Sequence, residues 1–264
     1  MKLNDLDYNL KSYSSIFTKF SKKLKKSQVI CFPEYWNGIR KDKYSDNVHD
    51  LTLEFLKNTS SDYSAWIIGG SHLFKENNTF KNRSHILTPE GKLIGFYDKR
   101  HPFGHEQYQG ITPGEKDFFF KIGKWKATIR ICNDLWNTHD HSMLIKEGID
   151  IIFSPILTSL SEQSYTNYGR FLWHNLAVIR SKEAASAVIV CDSANQVIKE
   201  PYWCAGASCI ADPSSRFSNQ EPFGTNLLVS IPDGKENILS VTLDLNKIQE
   251  QKKYRLKMGL MENK

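Results

Sequence analysis

The sequence predicts an α/β fold in which β-sheets are sandwiched between helices. Segments whose apolar residues recur at helical spacing alternate with short apolar runs rich in Val and Ile. No linker, repeat or low-complexity segment divides the 264 residues, of which 40% are hydrophobic. We therefore expect one α/β domain over residues 1–264.

The first half of the chain interleaves helices with strands. Tyr13, Phe17, Phe20 and Leu24 recur at helical spacing and predict a helix that leads into the apolar run Val-Ile-Cys-Phe. Turn signals then separate shorter strands that we expect to pair in antiparallel fashion. The predicted helices are 9–26 and 46–57, and the predicted strands are 29–32, 66–70, 71–74, 79–87, 93–97, 118–120 and 127–132.

The second half repeats the mixture and ends in a polar tail. We predict helices over 141–147 and 165–184, and strands over 151–153, 187–191, 208–210, 227–231 and 238–243.

Composition excludes several classes of protein. Lys and Arg total 35 against 29 Asp and Glu, a mild net charge of +6, and the basic run 19–26 fits the solvated face of a surface helix better than a nucleic-acid site. No apolar run approaches the roughly 20 residues of a membrane span. The N-terminus has no secretory signal, so we expect a cytoplasmic protein without membrane or nucleic-acid partners. Five scattered cysteines do not suggest a disulfide framework.

Three chemically active side chains follow predicted strands, where function concentrates. Glu34 follows the strand 29–32 among aromatic neighbours, which would raise its pKa and suit acid–base chemistry. Lys99 follows the strand 93–97 but resembles many surface lysines. Cys132 ends an apolar strand and is followed at once by polar Asn133, so its sulfur can face a cleft with the Asn133 N–H beside it.

These three segments, taken in order, resemble the signature segments of the nitrilase superfamily, the carbon-nitrogen hydrolases. They read Phe-Pro-Glu-Tyr-Trp around Glu34, Tyr-Asp-Lys-Arg-His around Lys99 and Arg-Ile-Cys-Asn-Asp around Cys132. Further similarities extend over most of the chain, among them Asn82 in a strand and the helix that carries Trp173, Arg180 and Glu183.

The resemblance implies an amidase-like enzyme with a four-layer α-β-β-α sandwich that forms a homodimer or higher homo-oligomer. Cys132 would be the nucleophile, Glu34 the general base, Lys99 the electrostatic partner and Glu106 a second glutamate that orients the lysine. The implied reaction is hydrolysis of a non-peptide C–N bond in a small linear amide or carbamoyl compound through a cysteine thioester, without metal or cofactor.

The chain also departs from the family pattern. The usual first strand is missing, because the sequence begins directly with the first helix, and the loop after Cys132 is altered. Two alternatives therefore stay open: a nitrilase acting on a small nitrile, and a non-catalytic binding or assembly protein with the same fold. His101 is an alternative base for Cys132 in a papain-like pair.

Several other residues have weaker assignments. We expect the residues after strands at the same sheet end to line the substrate pocket: Trp36, Trp136, Ile156, Leu157 and Thr158. Arg100 or Arg170 would hold a substrate carboxylate. The run His139-Asp140-His141 is too closely spaced for a usual zinc site and predicts a surface loop. Cys31, Cys191 and Cys209 are expected to be buried.

Overall fold

Two β-sheets lie face to face between two layers of helices. The computed structural model describes residues 1–45, 47–199, 202–214 and 228–261. The helices are α1 (Leu6–Lys19), α2 (Ser21–Leu24), α3 (Asn47–Tyr63), α4 (His105–Tyr108), α5 (Thr138–Lys146), α6 (Thr166–Ala184) and α7 (Leu245–Lys257). Short 3₁₀ turns span Lys41–Lys43, Cys132–Leu135 and Gln163–Tyr165.

The first sheet is built from β1 (Val29–Cys31), β2 (Trp66–Ile68), β3 (His72–Glu76), β4 (Thr79–Leu87) and β5 (Leu93–Asp98). β1 and β2 are parallel, and the remaining pairs are antiparallel. β2 and β3 pair with successive parts of one side of β4, and β5 pairs with its other side. The predicted antiparallel pairing of this region is confirmed.

The second sheet has the order β13-β12-β9-β8-β7-β6. β7, β8 and β9 are parallel, so their carboxyl ends meet at one edge of the sheet, while the outer pairs are antiparallel. Its strands are β6 (Phe119–Ile122), β7 (Trp125–Ile129), β8 (Ile151–Pro155), β9 (Ala187–Cys191), β12 (Cys209–Ala211) and β13 (Leu228–Ser230), and a separate hairpin contains β10 (Val197–Lys199) and β11 (Tyr202–Trp203).

Three apolar cores hold the four layers together. Alternation along each strand sends one residue to each face of the sheet. In β2, Ile67 therefore packs against α1 and α3, while Ile68 packs between the sheets against Ile129 and Phe153. The third core lies between the second sheet and helices α5 and α6. The α-β-β-α sandwich predicted from the sequence is confirmed.

The predictions fail near the C-terminal end of the chain. No strand precedes α1 among the described residues, as expected, and the segment 238–243 is not a strand. The Ile238 carbonyl instead accepts a hydrogen bond from the Lys23 side chain of α2 at 3.2 Å, and the Ile238 side chain packs against the core that includes Phe17 of α1. The polar tail forms α7, whose N-cap Asp244 accepts hydrogen bonds from Asn246 and Lys247. Leu227, at the start of a predicted strand, lies outside the described residues.

The described helices include none that combines the length and apolarity required to cross a bilayer.

Candidate active site

Glu34 lies at the end of β1, where the two sheets meet. Its backbone N–H donates to the Ile156 carbonyl of the second sheet at 3.2 Å. The corner between β2 and β3 passes close behind it: Gly70 has φ +59°, and a Cβ there would lie 2.1 Å from the Pro33 carbonyl oxygen. Only glycine permits this approach, which fixes the backbone that carries Glu34.

The Glu34 carboxylate is 2% exposed and receives three donors from separate elements. Lys99 Nζ and Asn82 Nδ2 donate to Oε1 at 2.8 and 2.9 Å, and the Leu157 N–H donates to Oε2 at 2.9 Å. A buried carboxylate with this many partners is held in one orientation.

Lys99 lies between two glutamates. Its ammonium contacts Glu34 at 2.8 Å and Glu106, on α4, at 2.5 Å. Glu106 also accepts hydrogen bonds from Tyr35 Oη at 2.8 Å, Asn82 Nδ2 at 2.8 Å and the Phe103 N–H at 2.9 Å. The Asn82 amide therefore bridges the two carboxylates that hold the lysine.

Cys132 joins this group from the second sheet. It begins the 3₁₀ turn Cys132–Leu135 with φ 48°, a left-handed backbone that is costly for a residue with a side chain. The residue is partly exposed, and its thiol lies close enough to the Glu34 carboxylate that each group shifts the pKa of the other. The structure thus brings Glu34, Lys99, Glu106 and Cys132 into one crevice, although they span 98 residues of sequence (132 − 34).

Burial and charge shift the pKa values of all three neighbouring groups. Burial raises the pKa of Glu34, against the opposing effect of Lys99. Burial also raises the pKa of the Cys132 thiol, and Glu34 adds to that rise. Burial alone would lower the pKa of Lys99, but Glu34, Cys132 and Glu106 together raise it. The resting site therefore holds a neutral thiol, an ammonium ion and a carboxylate that accepts a proton readily.

His101 has other partners. Its Nδ1 lies 3.0 Å from Asp134 Oδ1, and its Nε2 lies 3.1 Å from Asn137 Nδ2. Both ring nitrogens are thus occupied away from the thiol, and the papain-like alternative receives no support.

The comparisons with known proteins agree with this geometry. The family model described as "Carbon-nitrogen hydrolase" matches residues 1–253. The chain belongs to the carbon-nitrogen hydrolase family. Similar proteins include the 2-oxoglutaramate amidase of Bacillus subtilis (strain 168), which is 24% identical over 200 residues that cover 74% of each chain.

Solved structures of this family share the fold. Nit3 of Saccharomyces cerevisiae, a member of branch 10 of the nitrilase superfamily, superposes with a TM-score of 0.76 at 22% identity, over 98% of this chain and 90% of that chain. An amidase from Nesterenkonia sp. AN1 superposes with a TM-score of 0.69 at 14% identity, over 81% and 82% of the two chains.

Two of the predicted pocket residues of this carbon-nitrogen hydrolase lie in apolar cores. Trp36 is fully buried among Tyr13, Phe32 and Phe55, on the side of the first sheet that faces the helices. The Ile156 side chain is fully buried in the core under α5 and α6. Both side chains pack in apolar cores, because a residue that follows a strand faces the core as readily as the cleft, and their contact with a substrate stays a prediction.

Leu157 contacts the site through its backbone N–H, and the Thr158 side chain is bound to Asp192. Leu157 is partly exposed and holds Glu34 with its N–H. The Thr158 hydroxyl donates to Asp192 at 2.8 Å and accepts the Ala205 N–H at 2.6 Å, so it has no capacity left to donate to a ligand. Burial raises the pKa of Asp192 to about 6.

Asn133 and Trp136 lie in and beside the turn that starts at Cys132. The Asn133 N–H occupies the second position of the 3₁₀ turn, where an amide has no acceptor within the turn. Trp136 is 42% exposed and packs edge-on against Trp173. Both remain candidates for contact with a ligand.

The remaining sequence assignments change in part. The residues His139, Asp140 and His141 lie on α5 rather than in a surface loop, and the latter two are buried. Arg100 pairs with Asp117 and Asp140, and Arg170 donates to the Ala205 carbonyl. Cys209 is buried as expected, whereas Cys31 and Cys191 are partly exposed.

Sequence reasoning does not assign to the site the two polar residues, Asn82 and Tyr35, that donate hydrogen bonds to Glu106. The sequence points to Asn82 only through the family resemblance, and to Tyr35 only as an aromatic neighbour of Glu34. The alternation of β4 is the available signal, because it places Asn82 on the face opposite Leu87, which packs against the helices.

Proposed function

We propose that this carbon-nitrogen hydrolase cleaves the C–N bond of a small linear amide through a thioester on Cys132. The observation that carries the proposal is the position of the Cys132 thiol on a buried carboxylate, Glu34, that is itself 2.8 Å from the Lys99 ammonium. A nucleophile, a base and a cation within one crevice are the components that acyl transfer requires.

In the acylation step, Cys132 Sγ attacks the amide carbon while its proton passes to Glu34. The carbonyl oxygen becomes an oxyanion, which the Lys99 ammonium and the Asn133 N–H stabilise; one such donor in a dry site contributes about 3–4 kcal/mol. Glu34 then gives the proton to the nitrogen, the C–N bond breaks, and ammonia or an amine leaves. The acyl group remains on sulfur as a thioester.

In the deacylation step, Glu34 takes a proton from a water molecule that attacks the thioester carbon. The C–S bond breaks, the proton returns to the thiolate, and a carboxylic acid is released. Glu106 keeps Lys99 directed at the reacting carbon and takes no proton. Every proton transfer in this cycle uses a group of the chain, so the chemistry requires neither a metal nor an organic cofactor.

The substrate class follows from the relatives and from the cations near the site. The Bacillus subtilis relative is named 2-oxoglutaramate amidase, and the Nesterenkonia structure is that of an amidase. Arg100 already pairs with the carboxylates of Asp117 and Asp140, which compensate its positive charge and disfavour binding of a substrate carboxylate there. We therefore favour a neutral amide or carbamoyl compound that contacts Trp136 and Leu157, with a small nitrile as the alternative.

Ammonia release from a panel of substrates tests the proposal. The panel contains short aliphatic amides, carbamoyl compounds, 2-oxoglutaramate and small nitriles. We expect release from amides or carbamoyl compounds by the wild type and none above background by Cys132→Ala. Cys209→Ala, which removes a buried thiol in β12, is the matched control and should retain activity. Equal release by the wild type and Cys132→Ala on every compound would refute the proposal in favour of a binding protein.

We further propose that two copies associate through α6. Three large apolar side chains are exposed on this helix, with Tyr168 at 59%, Phe171 at 62% and Ile179 at 51% exposure. Several exposed large apolar side chains on one surface helix are typical of a subunit interface.

A further inference from the structure

Three histidines meet on the helix-facing side of the first sheet, away from the crevice that contains Cys132. His49 comes from α3, His72 from β3 and His85 from β4, and their ligand nitrogens all lie within 4.8 Å of one another. The rings of His72 and His85 stack with centroids 5.0 Å apart, and the His49 ring lies 5.2 Å from that of His85. We call these three residues the histidine cluster.

The cluster leaves buried ring nitrogens without hydrogen bonds. Within the described part of the chain, neither nitrogen of His72 has a partner, nor does Nδ1 of His49 or His85. His72 and His85 are 0% and 2% exposed, so water reaches them poorly. Buried polar atoms almost always have a hydrogen-bond partner, so buried ring nitrogens without one require an explanation.

The rings are in the form that binds metals. His72 and His85 are buried without a carboxylate, among the described residues, that would pair with a protonated ring, which favours the neutral imidazole. A neutral imidazole carries the free lone pair that metal ligation requires.

The charges around the cluster nearly cancel. The charged groups that act on the cluster are Arg83, Lys57 and Asp50. Arg83 is bound by Asp98 at 2.6 Å and by Glu76 at 3.2 Å, and Lys57 is offset by Asp50, so the local field does not repel a divalent ion strongly.

We propose that His49, His72 and His85 bind one divalent transition-metal ion, with Zn²⁺ as the reference case. Three imidazoles suit Zn²⁺, with water in the fourth position, and Zn–N bonds of about 2.0–2.1 Å place ligand nitrogens about 3.3 Å apart. The ligand nitrogens of the three histidines lie within 4.8 Å of one another, and small side-chain rotations on binding would bring them to this shorter spacing.

The site would be structural. Positions 83, 85 and 87 of β4 face the helices, while Asn82 points to the opposite side and contacts Glu34. A metal in the histidine cluster therefore lies across the sheet from Cys132. It would join the first turn of α3 to two strands of the first sheet and stabilise that layer.

Metal binding to the full chain, without an affinity tag and treated with a chelator, tests the proposal. The first probe is Co²⁺, which gives visible absorption bands typical of four-coordinate sites, and the second is Zn²⁺ in competition with it. We expect one Co²⁺ per chain, displaced by Zn²⁺. Saturating Zn²⁺ should raise the unfolding midpoint by about 5 °C at a concentration about 100 times Kd.

The decisive variant is His49→Ala, because His49 is only partly buried and alanine favours a helix. Circular dichroism establishes that it folds. We expect its affinity for Co²⁺ to fall at least about 100-fold. The exposed α5 residue provides the control His139→Ala, and Cys132→Ala removes the thiol of the crevice; both should bind as the wild type does.

Three results would overturn the proposal: no uptake by the wild type, equal uptake by His49→Ala, or loss of uptake only in Cys132→Ala. None of these readouts depends on hydrolysis, so the outcome is independent of the proposed amidase activity.

Discussion

Glu34 accepts hydrogen bonds from three groups that lie on different parts of the chain. Lys99, Asn82 and the Leu157 N–H fix both oxygens, and the Cys132 thiol lies close to the same carboxylate. Burial of the carboxylate raises its pKa, so it takes a proton more readily than an exposed glutamate does. This is the property required of a base that alternately accepts and returns one proton.

Glu34→Gln removes the proton acceptor while preserving the shape of the side chain. We expect kcat to fall by about 10²–10⁴-fold, the usual contribution of acid–base catalysis. In the wild type, kcat/KM should decline as pH falls through a pKa above the ordinary 4.5 of glutamate, because only the carboxylate accepts the thiol proton. Steady-state ammonia release from pH 4 to 9 measures both effects.

His101→Ala is the matched control for this experiment, since His101 is the alternative base. Its ring contacts Asp134 and Asn137, so the variant should keep turnover within a few-fold of the wild type. Full activity in Glu34→Gln combined with loss in His101→Ala would reverse the assignment of the base.

The 3₁₀ turn that starts at Cys132 is held from several sides. Arg180 of α6 donates to the carbonyls of Leu135 and Trp136 at 2.9 and 3.0 Å. From the first sheet, Tyr97 Oη donates to Asp134 at 2.7 Å, and the His101 N–H donates to the same carboxylate at 2.8 Å. These contacts offset the left-handed backbone at Cys132 and keep its sulfur directed at Glu34.

The contact of His101 with Asp134 predicts a pH-dependent stability. The hydrogen bond to Asp134 raises the pKa of His101 above its ordinary 6.5 in the folded state. The protonated ring therefore stabilises the fold fully below about pH 6.5, and this contribution is lost as pH rises through the folded-state pKa. The free energy of unfolding of His101→Gln should fall below that of the wild type most at pH 5.5 and least at pH 8.5.

Urea unfolding across this pH range measures the difference. His139→Gln alters an exposed histidine on α5 and should show no comparable trend. A gap between wild type and His101→Gln that stays constant from pH 5.5 to 8.5 would contradict the assigned ion pair.

The strands β1, β5, β8 and β9 are predictable because each has an apolar run, and β4 is predictable from the turn signals on either side of it. The helix α7 is harder to predict, because only Ile248 and the stem of Lys252 are buried along its polar sequence. Lys252 reaches the carbonyl of Ile149 at 2.7 Å and Asp150 at 2.9 Å, a tertiary contact that no local pattern encodes. The apolar residues of 238–243 are equally misleading, because the segment has no strand partner among the described residues and Ile238 packs against the helix-side core instead.

The four-layer packing leaves three large apolar side chains, Tyr168, Phe171 and Ile179, exposed on α6. If α6 forms a twofold interface, each substitution on it enters the contact twice. Phe171→Asp should then weaken self-association at least about 100-fold, because two unpaired carboxylates would be buried. Sedimentation velocity across a range of protein concentrations measures this change.

Tyr254→Asp provides the control, since Tyr254 is an aromatic residue on α7 with 54% exposure, similar to that of Phe171. It should sediment as the wild type does. A wild-type chain that remains monomeric at all concentrations, or an association that Phe171→Asp leaves unchanged, would remove α6 from consideration as the interface.

The sequence by itself determined the layered α/β fold and the positions of most strands along the chain, because strand periodicity is a local feature. It also determined the family, because the segments around Glu34, Lys99 and Cys132 are short and local. Only the tertiary structure decided which side chains meet. It placed Trp36 in a core, brought Asn82 and Tyr35 to Glu106, and gathered the histidine cluster from positions 49, 72 and 85. The physical reason is that the face a side chain occupies depends on strand register and on packing between distant segments, which short-range sequence patterns do not specify.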